Sequence, residues 1–220
     1  NISIGVEYLR EKCNFNGNIA IIDIDAHFGN GSSSLYYKDP NVMHVSLHES
    51  SFLGTVGMPN QIGSGRGRGT NVNIRVPVGC EGKVWLEQLE IVRQVVVQFS
   101  PQLIVVAMGL DGHWSDPLGN MQLTSHTYLQ FGKWLWKLRK EIGACKVGLV
   151  LEGGYSLLIL GHLIEMILSP FRNNYIPSPA YSPIDVVKEQ LPNSKSHLNR
   201  LHKQKVQLKN LLKQFWTIEI

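Results

Sequence analysis

Ile19-Ala20-Ile21-Ile22-Asp23-Ile24-Asp25-Ala26-His27-Phe28-Gly29-Asn30-Gly31 is the stretch whose reading decides the fold. It opens as a short apolar run rich in β-branched residues, the composition of a strand buried on both faces of a parallel sheet. The run then turns polar and delivers Asp25 and His27 ahead of a Gly-Asn-Gly turn. Open α/β sheets hold their ligands just beyond the carboxyl ends of the strands. Residues two apart on an extended segment face the same side, so a carboxylate and an imidazole converge, as a divalent metal requires. An isolated Asp-x-His reads better as a turn aspartate beside a satisfied loop histidine. Asp23 shifts that balance, because a carboxylate inside an apolar strand needs a partner.

Outward from this strand, helix and strand alternate. Ile4–Cys13 has helical spacing and stops near Asn16-Gly17. Ser32–Tyr37 predicts a short helix, Val42–Leu47 a strand and Asn71–Val76 an alternating strand. Ser50 to Gly69 reads as a glycine-rich rim loop; its Gly-x-Gly-x-Gly lacks the Lys-Ser/Thr and the following helix of a phosphate loop. Val84–Phe99 predicts one amphipathic helix with Leu86, Leu89, Val92, Val96 and Phe99 on one face. Leu103–Met108 predicts a buried strand, Val147–Leu151 a further strand, and Tyr128–Ile142 and Ser156–Leu168 helices. The fold class is therefore α/β, a mainly parallel sheet with helices on both faces. In such a sheet the strand ends carrying Asp25 and His27, Asp111, and Tyr155 lie along one edge and make one site.

The 220 residues suffice for one domain with a sizeable core. No apolar run approaches the roughly 20 residues that span a bilayer, and no signal peptide is read at Asn1. Cys13, Cys80 and Cys145 are widely spaced, which suggests neither a thiolate metal site nor a disulfide framework. Reduced thiols in the cytoplasm, or in the nucleus of a eukaryote, are the expectation. The net charge of +4 is unevenly placed, since seven Lys/Arg and only three Asp/Glu lie from Ile184 onward. The expected division is a catalytic body over 1–169, a proline-rich linker over 170–183 and a basic helical segment over 184–220. That last helix is expected to dock Leu198, Leu201, Val206, Leu208, Leu211, Leu212 and Phe215 on the body. Nucleic acid is not an expected partner, because no aromatics interleave with the lysines.

Asp25, His27 and Asp111 form two carboxylates and an imidazole with an open fourth position, the pattern of a catalytic zinc site. Tyr155, on a Gly153-Gly154 hinge, is placed to donate a hydrogen bond to an oxyanion. This inventory suits hydrolysis of an amide or ester. His48 and His113 read as structural rather than ligating, and Asp116, before Pro117, as a turn initiator.

At these residues a resemblance emerges. Ile22-Asp23-Ile24-Asp25-Ala26-His27-x-Gly29-Asn30-Gly31, Val45-Ser46-Leu47-His48, Gly109-Leu110-Asp111-Gly112-His113-Trp114-x-Asp116-Pro117-Leu118 and Leu151-Glu152-Gly153-Gly154-Tyr155 occur in that order. Together they resemble the zinc-dependent histone deacetylase family, which includes acetoin-utilisation proteins and acetylpolyamine amidohydrolases, in its class II-like or prokaryotic form. The resemblance implies the arginase/deacetylase fold and one zinc ion on Asp25, His27 and Asp111. It implies Tyr155 as oxyanion donor and Asp23 and Asn30 as residues orienting a pair of catalytic histidines. It implies a structural potassium ion at Asp23, Asp25, His27, Ser46 and the Leu47 carbonyl. Phe52, Leu53, Gly153, Gly154 and Leu118 would line the substrate tunnel.

The departures carry expectations of their own. No His-His pair occurs anywhere in the chain, and Asn1-Ile2-Ser3-Ile4 resembles the residues following the family's Gly-Phe-Cys-x-x-Asn segment. A fragment lacking about the first third of the domain, inactive by itself, is therefore expected. Phe28 stands where members often carry a second histidine, and Leu53-Gly54 where the tunnel usually has an aromatic residue followed by proline. Acetylated lysine in proteins is the leading substrate, with acetylpolyamines or small acyl-amines as the rival. Leu118 favours acyl-lysine, because polyamine-specific relatives tend to carry an acidic group there. A binuclear manganese ureohydrolase would need Asp at position 30 and Asp-x-Asp at 111–113, which this chain lacks. An inactive acyl-lysine-binding module is the non-enzyme alternative.

Overall fold

The apolar run Ile19–Asp23 forms β1, the central strand of a five-stranded sheet. β2 (Val42–Glu49) and β3 (Asn71–Val76) lie on one side of it, β4 (Leu103–Met108) and β5 (Lys146–Leu151) on the other. The computed structural model describes residues 1–50, 55–172 and 195–219. All neighbouring strands pair in parallel. The chain adds β2 and β3 beside β1, then returns to lay β4 and β5 on the opposite flank. Strand order therefore reverses between β1 and β4, and the crevice outside such a switch point is where open α/β sheets bind ligands.

Side-chain alternation along β1 divides the helices between the faces. Ile19 and Ile21 pack with Ile2 and Val6 of α1 (Ile2–Lys12) and Tyr36 of α2 (Asn30–Tyr36). Ala20 and Ile22 face the larger core. That core receives Trp85 of α3 (Gly82–Glu87), Val92 of α4 (Leu89–Phe99), Phe131 of α5 (Ser125–Ile142) and Leu163 of α6 (Leu157–Leu168). Asp23 continues the Ile19/Ile21 face, so its carboxyl is directed to the α1 side of the sheet.

The structure corrects several sequence expectations. The single helix over Val84–Phe99 is two helices, because Gln88 and Ile91 donate to carbonyls three residues back, Trp85 at 3.0 Å and Gln88 at 3.1 Å. Such bonds tighten a turn and break the α ladder. Trp85 fills the core there, and Leu86 packs against it partly buried. All six residues of β3 are buried rather than alternating. The Met58–Gln61 loop covers one side, with Asn73 Nδ2 donating to the Gln61 carbonyl at 2.9 Å. A terminal helix, α7 (Lys195–Leu212), packs against the same strand.

α7 docks through Leu201, Leu208 and Leu212, whereas Leu198, Val206 and Phe215 of the expected stripe remain exposed. Its far end is pinned by Trp216 Nε1 donating to the Gly69 carbonyl at 2.8 Å. Of the expected linker, residues 170 and 171 belong to the short 3₁₀ turn Ser169–Phe171, which Arg172 caps, and 173–183 lie outside the described residues, as do 184–194. Among the described residues no helix is long and apolar enough to cross a membrane.

Candidate metal centre

Two strand ends and one loop build the site. Asp25 and His27 follow β1, Asp111 follows β4 across the switch point, and each offers one donor atom within 4.8 Å of the others. His27 Nδ1 lies 3.0 Å from Asp25 Oδ1 and 2.8 Å from Asp111 Oδ2. Backbone amides orient both carboxylates. Ala26 N donates to Asp111 Oδ1 at 2.8 Å, His27 N to Asp25 Oδ1 at 2.8 Å and Gly153 N to Asp25 Oδ2 at 3.1 Å. Asp111 Oδ2 is buried, takes no backbone amide and faces His27 Nδ1 at 2.8 Å. A buried carboxylate oxygen left for an imidazole nitrogen and a second carboxylate fits a divalent cation with an N/O donor set.

Electrostatics point the same way. Burial, then the charge of Asp25, pushes the Asp111 carboxyl up to about 7. Burial works against the His27 imidazolium, but the carboxylates of Asp111 and Asp25 outweigh it and raise that pKa above the ordinary histidine value. Asp23 is driven well above the carboxylate range by burial and then by Asp25. The cluster therefore cannot hold its full negative charge unaided, and a cation would relieve it.

The glycines here are spacing devices. A Cβ on Gly153 would sit 2.5 Å from Asp25 Oδ2 and 2.9 Å from Asp111 Oδ2, so the backbone can approach both carboxylates only without one. Gly153→Ala is expected to weaken divalent-metal binding at this cluster about tenfold with the fold intact, as for a change beside a ligand shell. Metal-chelator competition and circular dichroism check this. Gly154 has φ +131°, a backbone region that side chains resist, and it presents Tyr155 at the surface, half exposed. Residual burial and the fields of Asp111, Asp25 and Asp116 raise the Tyr155 pKa, which keeps the phenol a donor.

Asp23, Asp25, His27 and Glu152 line a pocket of about 280 Å³ on the α1 side. Asp23 Oδ1 accepts from Asp25 N at 3.1 Å, and its other oxygen lies 3.9 Å from His44 Nε2. Asn30 is exposed and lines a different, more open groove with Phe28, Ser33 and Lys38. Ser46 stands opposite Asp23 in the β1–β2 register, and its hydroxyl lies 2.9 Å from His48 Nδ1. Leu47 is fully buried in the larger core, and Leu118 is half exposed. Phe52 and Leu53 lie outside the described residues.

His48 is a buried neutral imidazole, pushed down to about 3 by burial and then by Arg75. Asp116 does more than initiate a turn. One of its oxygens accepts from Leu118 N at 2.9 Å, as a turn would, but the other accepts from Tyr155 N at 2.7 Å and Ser156 N at 3.1 Å. Nothing local in the sequence signals a contact to residues so distant in the chain.

The description "Histone deacetylase domain" matches residues 1–170. A "Probable deacetylase" of Archaeoglobus fulgidus is 31% identical over 196 residues, covering 84% of this chain and 55% of that protein. The crystal structure of the HDA15 HD domain superposes with a TM-score of 0.74 at 23% identity, over 97% of this chain and 55% of that one. An acetylpolyamine aminohydrolase from Burkholderia pseudomallei superposes at 0.65 and 25% identity, over 70% of this chain and 44% of that one. The chain thus spans about half the length of the curated relatives it matches first, 55% and 44% of them.

Proposed function

The chain belongs to the histone deacetylase family, and from that premise we propose that it carries the metal centre of a zinc-dependent deacetylase acting on acylated lysine side chains of proteins. The convergence of Asp25, His27 and Asp111 donor atoms within 4.8 Å carries this reading. Bound there, zinc would polarise a substrate carbonyl and lower the pKa of a water toward about 7. Tyr155, kept protonated, would donate to the oxygen that gains charge as the amide is attacked. One such donor is worth roughly 3–4 kcal/mol to the transition state.

The remaining assignments belong to the same proposal. Asp23 would orient a general base from within the pocket, and Asn30 would do so from α2. Gly153, Gly154, Leu118, Phe52 and Leu53 would shape the acyl tunnel. A structural potassium ion would use Asp23, Asp25, His27, Ser46 and the Leu47 carbonyl. The domain is taken as 1–169, followed by the linker and the basic segment. A reducing compartment is favoured by three unpaired cysteines.

No His-His pair is present to serve as base and acid. The 220-residue chain alone is therefore proposed to bind zinc and acyl-lysine without turning the amide over, and an acyl-lysine-binding role is the second reading. The likeness to an acetylpolyamine aminohydrolase keeps that substrate as the rival, and apolar Leu118 at the rim argues for lysine.

Cobalt titration and calorimetry of the purified chain test these points. The expected outcome is stoichiometric cobalt with a four-coordinate visible spectrum, and tighter binding of an acetyl-lysine peptide than of N-acetylputrescine. Hydrolysis should not exceed the metal-free blank. Lack of stoichiometric metal would end the metal-centre reading. Preference for the polyamine would move the substrate to the rival, and brisk hydrolysis would end the inert-chain reading.

A further inference from the structure

We propose that Asp116 is the positioning residue for Tyr155, its carboxylate clamping the turn that bears the phenol to the loop that bears the metal ligand Asp111. The proposal rests on the reading of Tyr155 as oxyanion donor.

Tyr155 has little else to hold it. Its side chain is 50% exposed, and Leu157 and Leu158 just beyond it are 80% and 91% exposed. Side-chain packing therefore does not fix this turn, and with Gly153 held by Asp25 Oδ2 and Leu110 N, Gly154 is the point at which its backbone can pivot. Fixation has to come through the main chain. Asp116, 7% exposed, supplies it by accepting from Tyr155 N at 2.7 Å and Ser156 N at 3.1 Å on one oxygen. Those amides lead directly into α6, whose cap residue Ser156 makes no side-chain capping bond. A buried carboxylate at that position satisfies orphan amides and sits at the favourable end of the helix dipole.

The other end of the clamp is equally anchored. The second Asp116 oxygen accepts from Leu118 N at 2.9 Å, which ties the rim to the same group. The loop starts at Asp111, and Leu110 N donates to the Gly153 carbonyl at 2.9 Å. Ser115 Oγ lies 3.1 Å from Ser156 Oγ and 2.8 Å from His113 Nδ1, a parallel strut. A turn aspartate before proline needs only the Leu118 bond. The bonds to residues 39 and 40 positions away are what a turn does not require.

Four proteins test this: Asp116→Ala, Asp116→Asn, Tyr155→Phe and the Asp116→Ala/Tyr155→Phe double variant. The first readout is chymotryptic cleavage between Tyr155 and Leu158 in the folded chain, with circular dichroism to verify folding. The second is acetohydroxamate affinity of the zinc-loaded chain, since this chelator presents a carbonyl oxygen to the phenol. Asp116→Ala should accelerate cleavage and weaken acetohydroxamate about tenfold, the lower end of what loss of an orienting partner costs. The affinity loss should vanish in the Tyr155→Phe background, and Asp116→Asn, which keeps one acceptor, should fall between. Cleavage unchanged in both Asp116 variants, or an affinity loss of equal size with and without the phenol, overturns the proposal. If Tyr155→Phe itself leaves acetohydroxamate affinity unchanged, the donor reading of Tyr155 fails instead, and the cleavage rates alone decide the role of Asp116.

Discussion

Replacing Asp111 by Asn is expected to lower zinc affinity by more than about a hundredfold while raising the melting temperature of the metal-free protein. The two effects share one cause. Asp111 is fully buried, with one oxygen held by Ala26 N and the other facing His27 and Asp25. An asparagine keeps the acceptor for Ala26 N and offers an N–H₂ toward the imidazole, so the local geometry survives. What disappears is the anion that zinc requires, and loss of a ligand costs at least as much as the roughly 10–100-fold loss of an outer partner. The buried charge whose pKa is pushed up to about 7 disappears as well. Each pKa unit corresponds to about 1.4 kcal/mol, so relief of this strain amounts to a few kcal/mol near pH 8. Chelator competition measures the first effect and thermal melting in EDTA the second. Unchanged zinc affinity, or a less stable metal-free variant, would contradict the assignment of Asp111 to a strained anionic centre.

The second large effect is a pH dependence that zinc reverses. For Asp111 the folded-state value of about 7 stands above that of an ordinary aspartate, about 4. Between those values the native state holds a proton that the unfolded chain releases, so stability falls as pH rises through the window. Asp23, raised by burial and by Asp25, acts in the same sense. So does His27, whose raised pKa adds stability below the unfolded histidine value and loses it as pH climbs through the folded one. The metal-free chain is therefore expected to melt at a higher temperature near pH 5 than near pH 8. Zinc requires the deprotonated forms of its ligands, so its affinity should increase across the same range. With saturating zinc the melting temperature should then hold or rise toward pH 8. Differential scanning fluorimetry with and without zinc tests both limbs. A flat metal-free profile would contradict the crowding of Asp23, Asp25 and Asp111 around His27.

Much of the fold could be read from periodicity alone. Residues 19–22 and 103–108 are apolar without alternation, which only a strand covered on both faces tolerates, and the strands pair in parallel as that composition demands. Elements were misread where packing overrode local pattern. The break at Gln88 depends on hydrogen bonds three residues back, which hydrophobic spacing does not report. The full burial of β3 depends on a distant loop and on α7.

The candidate site divides along the same line. By itself the sequence determined which chemistry was on offer: alternate polar positions at the end of β1, an aspartate after β4 and a tyrosine after two glycines. Those are local facts, because side-chain direction on a strand follows from its two-residue period. Only the tertiary structure decided which of these groups meet. The reversal of strand order between β1 and β4 draws Asp25, His27 and Asp111 together and leaves Asn30 on another groove. It also turned Asp116 from a turn residue into the clamp on the Tyr155 turn, since hydrogen bonds between loops depend on where the sheet sets those loops down.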